Sequence, residues 1–233
     1  YNRQLFYRMA DFSIDGNWFY TLVRDNDSFR FQKISLETGV SEDFQKVFPD
    51  FEWDKLNWDE FFPPENDFAH ASFSISNDEK RMIAVKNIYT SNPDEPCFSE
   101  GLHHLWVFNL EDNTLEIFKN QPGYVTDAAW KYDSSKFTLA LAGNNGCYPA
   151  YMDARIEIFD KDGKGAITIV DEPKSKITNL GWSPDDSVIV YDVYSTDFIG
   201  RLKLVDVTTK QGKEIIHLEF GEPDFPTPPA NCG

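Results

Sequence analysis

The sequence predicts an all-β protein, a β-propeller with four visible four-stranded antiparallel blades, and three observations carry that expectation. A short pattern recurs four times: an aromatic residue, a polar residue, a turn cluster and an apolar strand. Each copy is followed by a further pair of strands joined by a polar turn, so each unit reads as four strands. The large side chains are rich in Phe (20) and Tyr (10), which sit better on pleated sheets than on helices.

The pattern is clearest at LGWSPDDSVIVYDVY, Leu180 to Tyr194, where Trp182 precedes Ser183-Pro184-Asp185-Asp186. Its relatives are Phe12-Ser13-Ile14-Asp15-Gly16, Phe73-Ser74-Ile75-Ser76-Asn77-Asp78 and Trp130-Lys131-Tyr132-Asp133-Ser134. The aromatic anchors are 61, 57 and 52 residues apart (12 to 73, 73 to 130, 130 to 182), the range of a propeller blade with loop insertions. The second halves of the units are Phe29 to Gly39, His104 to Thr114, Arg155 to Gly165 and Arg201 to Gly212, each leading into another short strand. Their turns, Glu37-Thr38-Gly39, Asp162-Gly163 and Gln211-Gly212, contain residues that tolerate positive φ. A ring at the end of each inner strand is expected to wedge against the neighbouring blade, where twisted sheets diverge.

These residues resemble the TolB-type, WD40-like PD40 repeat, whose motif runs Phe/Trp-Ser-Pro-Asp-Gly and later Asp-x-x-Thr-Gly. Trp182 to Asp186 matches best and Phe12 to Gly16 second, while ISLETG and VDVTTKQG echo the later half. The other two copies are degenerate, with Ser76-Asn77 and Asp133-Ser134 in place of Pro-Asp-Gly. The resemblance implies a propeller and leaves the activity open, because propellers host many unrelated functions.

The chain reads as one domain over 1–233, with blades at about 4–48, 67–120, 124–172 and 176–220, an insertion at 49–66 and a Pro-rich tail at 221–233. The insertion carries Trp53 and Trp58, and Trp53, Leu56 and either Phe61 or Phe62 fit one side of a short helix ended by Pro63-Pro64. It is either a decorated binding loop over one propeller face or a segment packed on a blade edge. The four units either close a ring by themselves, with Tyr1 to Tyr7 as a candidate closing strand, or form part of a larger ring.

Lys and Arg number 22 against 39 Asp and Glu, for a net charge of −17. Such a surface repels phosphate backbones and anionic headgroups, so neither nucleic acid nor a membrane surface is an expected partner. The longest apolar run, Phe137 to Gly143, falls far short of the roughly 20 residues of a membrane span. The start of the chain, without Met, reads as a mature or trimmed end. The three cysteines include no CxxC pair, which argues against a disulfide framework and a structural zinc site. Cys97 and Cys147 lie in the two longest middle loops, Thr90 to His104 and Ala142 to Ala154. Both loops join a second strand to a third, so both emerge on one face, and a Cys97–Cys147 disulfide is hypothesised. That bond implies an oxidising, extracytoplasmic compartment, periplasmic or secreted.

No G-x-S-x-G, H-E-x-x-H or phosphate-cradling Gly loop occurs, so no catalytic residue is named and a non-enzymatic protein is expected. Asp94, Glu95, Glu100, His103 and His104 cluster in one loop, but adjacent histidines in a strand face opposite ways, so no metal site is expected. DKDGKG, Asp160 to Gly165, resembles the start of a calcium loop and lacks the downstream Glu; Ca2+ is the one cofactor considered, beside a plain hairpin turn. The candidate binding residues are Trp53, Trp58, Phe98, His103, Asn144, Asn145, Tyr148 and Tyr151. The leading functional expectation is an interaction module that presents loops to a protein partner. The alternatives are a propeller binding a glycan or small ligand, with loop aromatics stacking on sugars, and an accessory propeller of a larger peptidase or polysaccharide lyase.

Overall fold

The computed structural model describes residues 10–13, 15–25, 28–43, 71–90, 100–112, 114–142, 153–195 and 199–219. They form four sheets, each a four-stranded antiparallel meander in sequence order. Blade one contains β1 (Ala10–Phe12), β2 (Trp18–Asp25), β3 (Ser28–Ser35) and β4 (Ser41–Asp43). Blade two contains β5 (Ala71–Ile75), β6 (Arg81–Thr90), β7 (Glu100–Asn109) and β8 (Thr114–Pro122). Blade three contains β9 (Tyr124–Trp130), β10 (Lys136–Ala142), β11 (Ala154–Asp160) and β12 (Ile167–Glu172). Blade four contains β13 (Ser175–Trp182), β14 (Val188–Ser195), β15 (Ile199–Asp206) and β16 (Gly212–Glu219).

Each blade opens with the same turn, built by a Ser-x-Asp motif in three copies out of four. The hydroxyls of Ser13, Ser76 and Ser183 donate to Asp15, Asp78 and Asp185 two residues on, at 2.5–2.6 Å. Each hydroxyl also accepts the amide five residues on, from Trp18, Arg81 and Val188. In blade three Lys131 replaces the Ser and its Nζ reaches Asp133 at 2.6 Å. The fourth turn residue is left-handed every time: Gly16, Glu79, Ser134 and Asp186 have φ of 57–69°. This fixes the register of the repeat. The residue before each turn is Phe12, Ile75, Trp130 and Trp182, spaced 63, 55 and 52 apart (12 to 75, 75 to 130, 130 to 182). The anchor of blade two is therefore Ile75 and not Phe73, which stands two residues earlier in β5.

The core lies between blades. Ile83, Val85, Leu105 and Val107 of blade two pack against Val125, Ala128, Phe137, Leu139 and Leu141 of blade three. The other side of blade three, with Ala140, Ile156, Ile158 and Val170, packs against Ile177, Ile189, Tyr191 and Val193 of blade four. Alternation along each strand sends successive side chains to opposite neighbours, so a central blade is apolar on both faces. The connectors from blade two to three and from three to four are short. Gly123 alone joins β8 to β9, with φ of 94°, and a side chain there would meet the Ala142 carbonyl oxygen at 2.8 Å.

Two of the four anchors point back to the preceding blade, as wedging requires. The indole of Trp130 donates to the Ser74 carbonyl at 3.0 Å, and that of Trp182 to Thr138 Oγ1 at 3.1 Å. Ile75 is likewise buried. Phe12 is 59% exposed and rests on Phe19 of its own blade, at 5.1 Å between ring centres. Inner strand β1 packs against β5, β5 against β9 and β9 against β13; no comparable packing joins β13 to β1 among the described residues. Among the described residues the four blades form an open arc. The candidate closing strand Tyr1 to Tyr7, the insertion at 49–66 and the tail at 221–233 lie outside the described residues.

Candidate functional site

The inner strands of blades two, three and four enclose a cleft of about 220 Å³ at the turn end of the arc. Its walls come from β5, β9 and β13, with Trp130 and Trp182 on the sides and Asn77 and Tyr132 at the rim. Two local features leave this space open. Ala128, Ala129 and Gly181 put little bulk on the axis side, and a Cβ built on Gly181 meets nothing within 4 Å. Bulges in β9 and β13 break the pairing with β10 and β14, between Ala140 and Leu141 and between Thr178 and Gly181. A bulge re-aims side chains and backbone. Here Thr126 Oγ1 donates to the Ile177 carbonyl at 2.6 Å, and the Leu180 amide donates to buried Asp127 at 2.7 Å. The inner strands are thus tied to one another across the blades.

The rim is held in the same way. Asn77 Nδ2 donates to the Tyr132 carbonyl at 3.0 Å, and the Asp78 amide donates to Ser134 Oγ at 3.1 Å. The amides of Tyr132 and Asp133 both donate to the Asp186 carboxylate. The left-handed residues of blades three and four therefore supply the acceptor for the turn before them. Glu79 instead accepts from the strands of blade one, from Tyr20 Oη at 2.5 Å and from Lys33 Nζ at 2.7 Å. Partial burial of Asp133 opposes its ionisation, but its bonds from Lys131 and Ser135 win and hold it down at about 2. Asp133 is therefore ionised at any physiological pH and stays paired with Lys131. The Tyr132 side chain, 43% exposed, is the aromatic group that the rim offers to solvent.

The opposite end of the blades carries the loops that sequence analysis favoured. The strand ends bounding the two long loops, Thr90 with Glu100 and Ala142 with Ala154, are paired at that same end. The loops' own candidates, Phe98, Asn144, Asn145, Tyr148 and Tyr151, lie outside the described residues, as do Cys97, Cys147, Trp53 and Trp58. Among the candidate binding residues the structure describes His103. It is 3% exposed, lies between blades two and three, and donates through Nδ1 to the Gly123 carbonyl at 2.9 Å. Burial, helped by the nearby Arg155 charge, pushes it down to about 4, against the bond to Gly123. His104 faces the other way, where Nδ1 accepts the Asn120 amide at 3.0 Å and the ring meets the edge of Trp106. Among the described residues no three His, Cys, Asp or Glu side chains are grouped to hold a metal. In the Asp160 to Gly165 turn, Asp160 accepts from Lys136 at 3.0 Å, and Arg81 stands 3.8 Å from Asp162.

The cleft itself escaped the sequence reading. Its signals are a missing side chain at Gly181 and two alanines in a strand, which read as ordinary sheet residues.

With this geometry in hand, the kinship of the chain can be stated. The model of the family "Eukaryotic translation initiation factor eIF2A" matches residues 77–220, well over half of the chain. The chain belongs to the eIF2A family. No curated protein matches it. Among solved structures, an oligogalacturonate lyase in complex with manganese is similar with a TM-score of 0.57 at 13% identity, over 90% of this chain and 53% of that one. The oligogalacturonate lyase of Vibrio parahaemolyticus gives 0.56 at 13% identity, over 90% and 53%. TolB from Acinetobacter baumannii gives 0.54 at 12% identity, over 89% and 42%. At these identities the likeness is one of fold, a β-propeller, and this eIF2A-family chain spans about half the length of the solved chains it matches. No described helix is long and apolar enough to cross a membrane.

Proposed function

We propose that the chain is a non-enzymatic interaction module that takes an extended segment of a protein partner into the cleft between β5, β9 and β13. The observation that carries this reading is the cleft itself: about 220 Å³, walled by strand backbone, flanked by two tryptophans and rimmed by Tyr132 and Asn77. Aromatic walls supply most of the contact energy in such pockets, while a few amide and carbonyl groups fix orientation. A protein partner suits the charge better than a polyanion such as oligogalacturonate, because this chain carries −17. We assign the four blade turns to a degenerate PD40-type set on the strength of the repeated Ser-x-Asp bonding.

Trp53, Trp58, Phe98, Asn144, Asn145, Tyr148 and Tyr151 are proposed as a second contact surface, one whose aromatic and amide groups also suit a glycan. The extracytoplasmic location is proposed on the Cys97–Cys147 bond, which intact-mass measurement with and without reductant tests. Calcium in the Asp160 to Gly165 turn would have to displace Lys136 and Arg81.

The experiment is a selection from a phage-displayed peptide library against the immobilised chain, followed by Gly181→Leu. The new side chain enters open space, so the melting temperature should hold while selected peptides lose at least about tenfold in affinity, roughly 1.4 kcal/mol. Peptides that bind Gly181→Leu as well as the parent, or a selection that enriches nothing, contradict the reading.

A further inference from the structure

The cleft between β5, β9 and β13 differs in chemistry between its depth and its mouth. Its depth is apolar: Ile75, Ala128 and Leu180 line it and each is buried. Trp130 and Trp182 flank it, and both indole N–H groups are already bonded, to Ser74 and Thr138, so these side chains offer ring faces and no donor. Of the described residues that line the cleft none is charged. At about 220 Å³ the space is smaller than a typical small-molecule pocket and holds one large side chain.

The mouth is rich in acceptors and poor in donors. The amides of Tyr132 and Asp133 are bonded to Asp186, the Asp78 amide to Ser134, and Asn77 Nδ2 to the Tyr132 carbonyl. A carbonyl keeps a second lone pair and a carboxylate several, so these bonds do not exhaust the acceptors. The charge has the same sense. In the three turns that border the cleft, Glu79 is paired with Lys33 and Lys80 with Glu111. That leaves Asp78, Asp133, Asp185 and Asp186 with Lys131, one cation that stands 2.6 Å from Asp133 and 3.6 Å from Asp186. Asp78 and Asp185 are held by the hydroxyls of Ser76 and Ser183. Tyr132, whose amide bonds Asp186, also lines the cleft and is 43% exposed, so an aromatic face and this charge share the mouth.

An apolar depth with an acceptor-rich, negative mouth fits a side chain that has an apolar stem and a cationic head. We infer that the cleft takes an arginine side chain of the partner segment. Its methylene stem packs on Ala128 and Leu180, and its guanidinium lies at the mouth, with the Tyr132 carbonyl and the Asp186 carboxylate as acceptors. Arginine suits the site better than lysine, because its planar head stacks on aromatic rings and donates in several directions at once. The head stays at the solvent-facing mouth, so it avoids the cost of a charge buried without a partner. This inference rests on the reading that a partner segment enters the cleft, and adds which side chain leads it. The net charge of −17 favours the same partner at long range.

The test uses pools of short blocked peptides, random except for one fixed central residue: Arg, citrulline, Lys, Gln, Pro, Trp or Glu. The readout is the affinity of each pool for the immobilised 233-residue chain. The Arg pool should bind best, about tenfold tighter than the citrulline pool, which keeps the shape and the stem and loses the charge. Its affinity should fall as salt rises. Gly181→Leu places a side chain in the cleft and Tyr132→Leu removes a ring at an exposed position. Each should bring the Arg pool close to the level of the citrulline pool. A pool fixed on any other residue that leads, and is lost in Gly181→Leu, overturns the arginine while the cleft reading stands. Arg and citrulline pools that bind alike, and are both lost in Gly181→Leu, do the same. An Arg pool that leads but ignores both substitutions binds the acidic surface at large, and contradicts the inference and the cleft reading together. So does the absence of binding by every pool.

Discussion

Trp130 and Phe12 stand at the same place in the repeat, one residue before the Ser-x-Asp or Lys-x-Asp turn, and meet opposite fates. Trp130 is 6% exposed and donates to the backbone of blade two; Phe12 is 59% exposed and rests on its own sheet. The two local sequences do not explain this, since both put an aromatic ring at the end of an inner strand. What differs is the blade in front. Blades two to four each bond their predecessor through the left-handed turn residue, Trp130 and Trp182 do so through their indoles as well, and no blade precedes blade one among the described residues. In a propeller the core belongs to the joints, so the same motif is buried at one position and more than half exposed at another.

The largest consequence concerns the anchors themselves. Trp130→Ala should lower the unfolding free energy by about 4 kcal/mol, through lost burial, a cavity and the lost indole bond to Ser74. Phe12→Ala should cost under about 1 kcal/mol in the monomer, as an exposed substitution does. Urea unfolding of the two variants side by side breaks the comparison if the losses are alike.

A second prediction sharpens the same joint through pH. His103 sits between blades two and three with its folded value depressed to about 4, from 6.5. The unfolded chain therefore takes up this proton first as pH falls. The stability that His103 secures is complete above pH 6.5 and is lost between 6.5 and 4, to a total of about 3 kcal/mol. Asp133, held at about 2, stays ionised through that window and does not obscure it. His103→Asn keeps a donor for Gly123 and should flatten the profile, as read from urea midpoints at pH 7 and 4.5. An unchanged slope in the variant would remove His103 as its source.

The sequence carried the four-blade architecture because its punctuation is local: a hydroxyl, an aspartate two residues on and a turn residue that accepts positive φ. It misplaced the second anchor for a physical reason. Phe73 and Ile75 share one face of β5, two residues apart, so an aromatic search settles on Phe73 while the turn chemistry of Ser76 and Asp78 selects Ile75. The ties between blades stayed hidden because a buried polar residue in a strand looks like a solvent-facing one. Asn87 is the clearest case, bonding both the amide and the carbonyl of Val125 at 2.8 and 2.7 Å from another blade. The cleft was illegible for the opposite reason, since it is made of what Gly181 and its alanine neighbours lack.

The central claim, a one-way lean around an open arc, is tested most directly by hydrogen exchange at indole N–H groups. The measurement uses NMR of a Phe12→Trp variant at a concentration where the chain is monomeric. The account predicts slow exchange at Trp130 and Trp182, whose N–H groups are bonded to Ser74 and Thr138, and faster exchange at the indole placed at position 12, where Phe12 is 59% exposed. Equal protection at all three positions would show that some part of the same chain covers blade one, and would contradict the open arc.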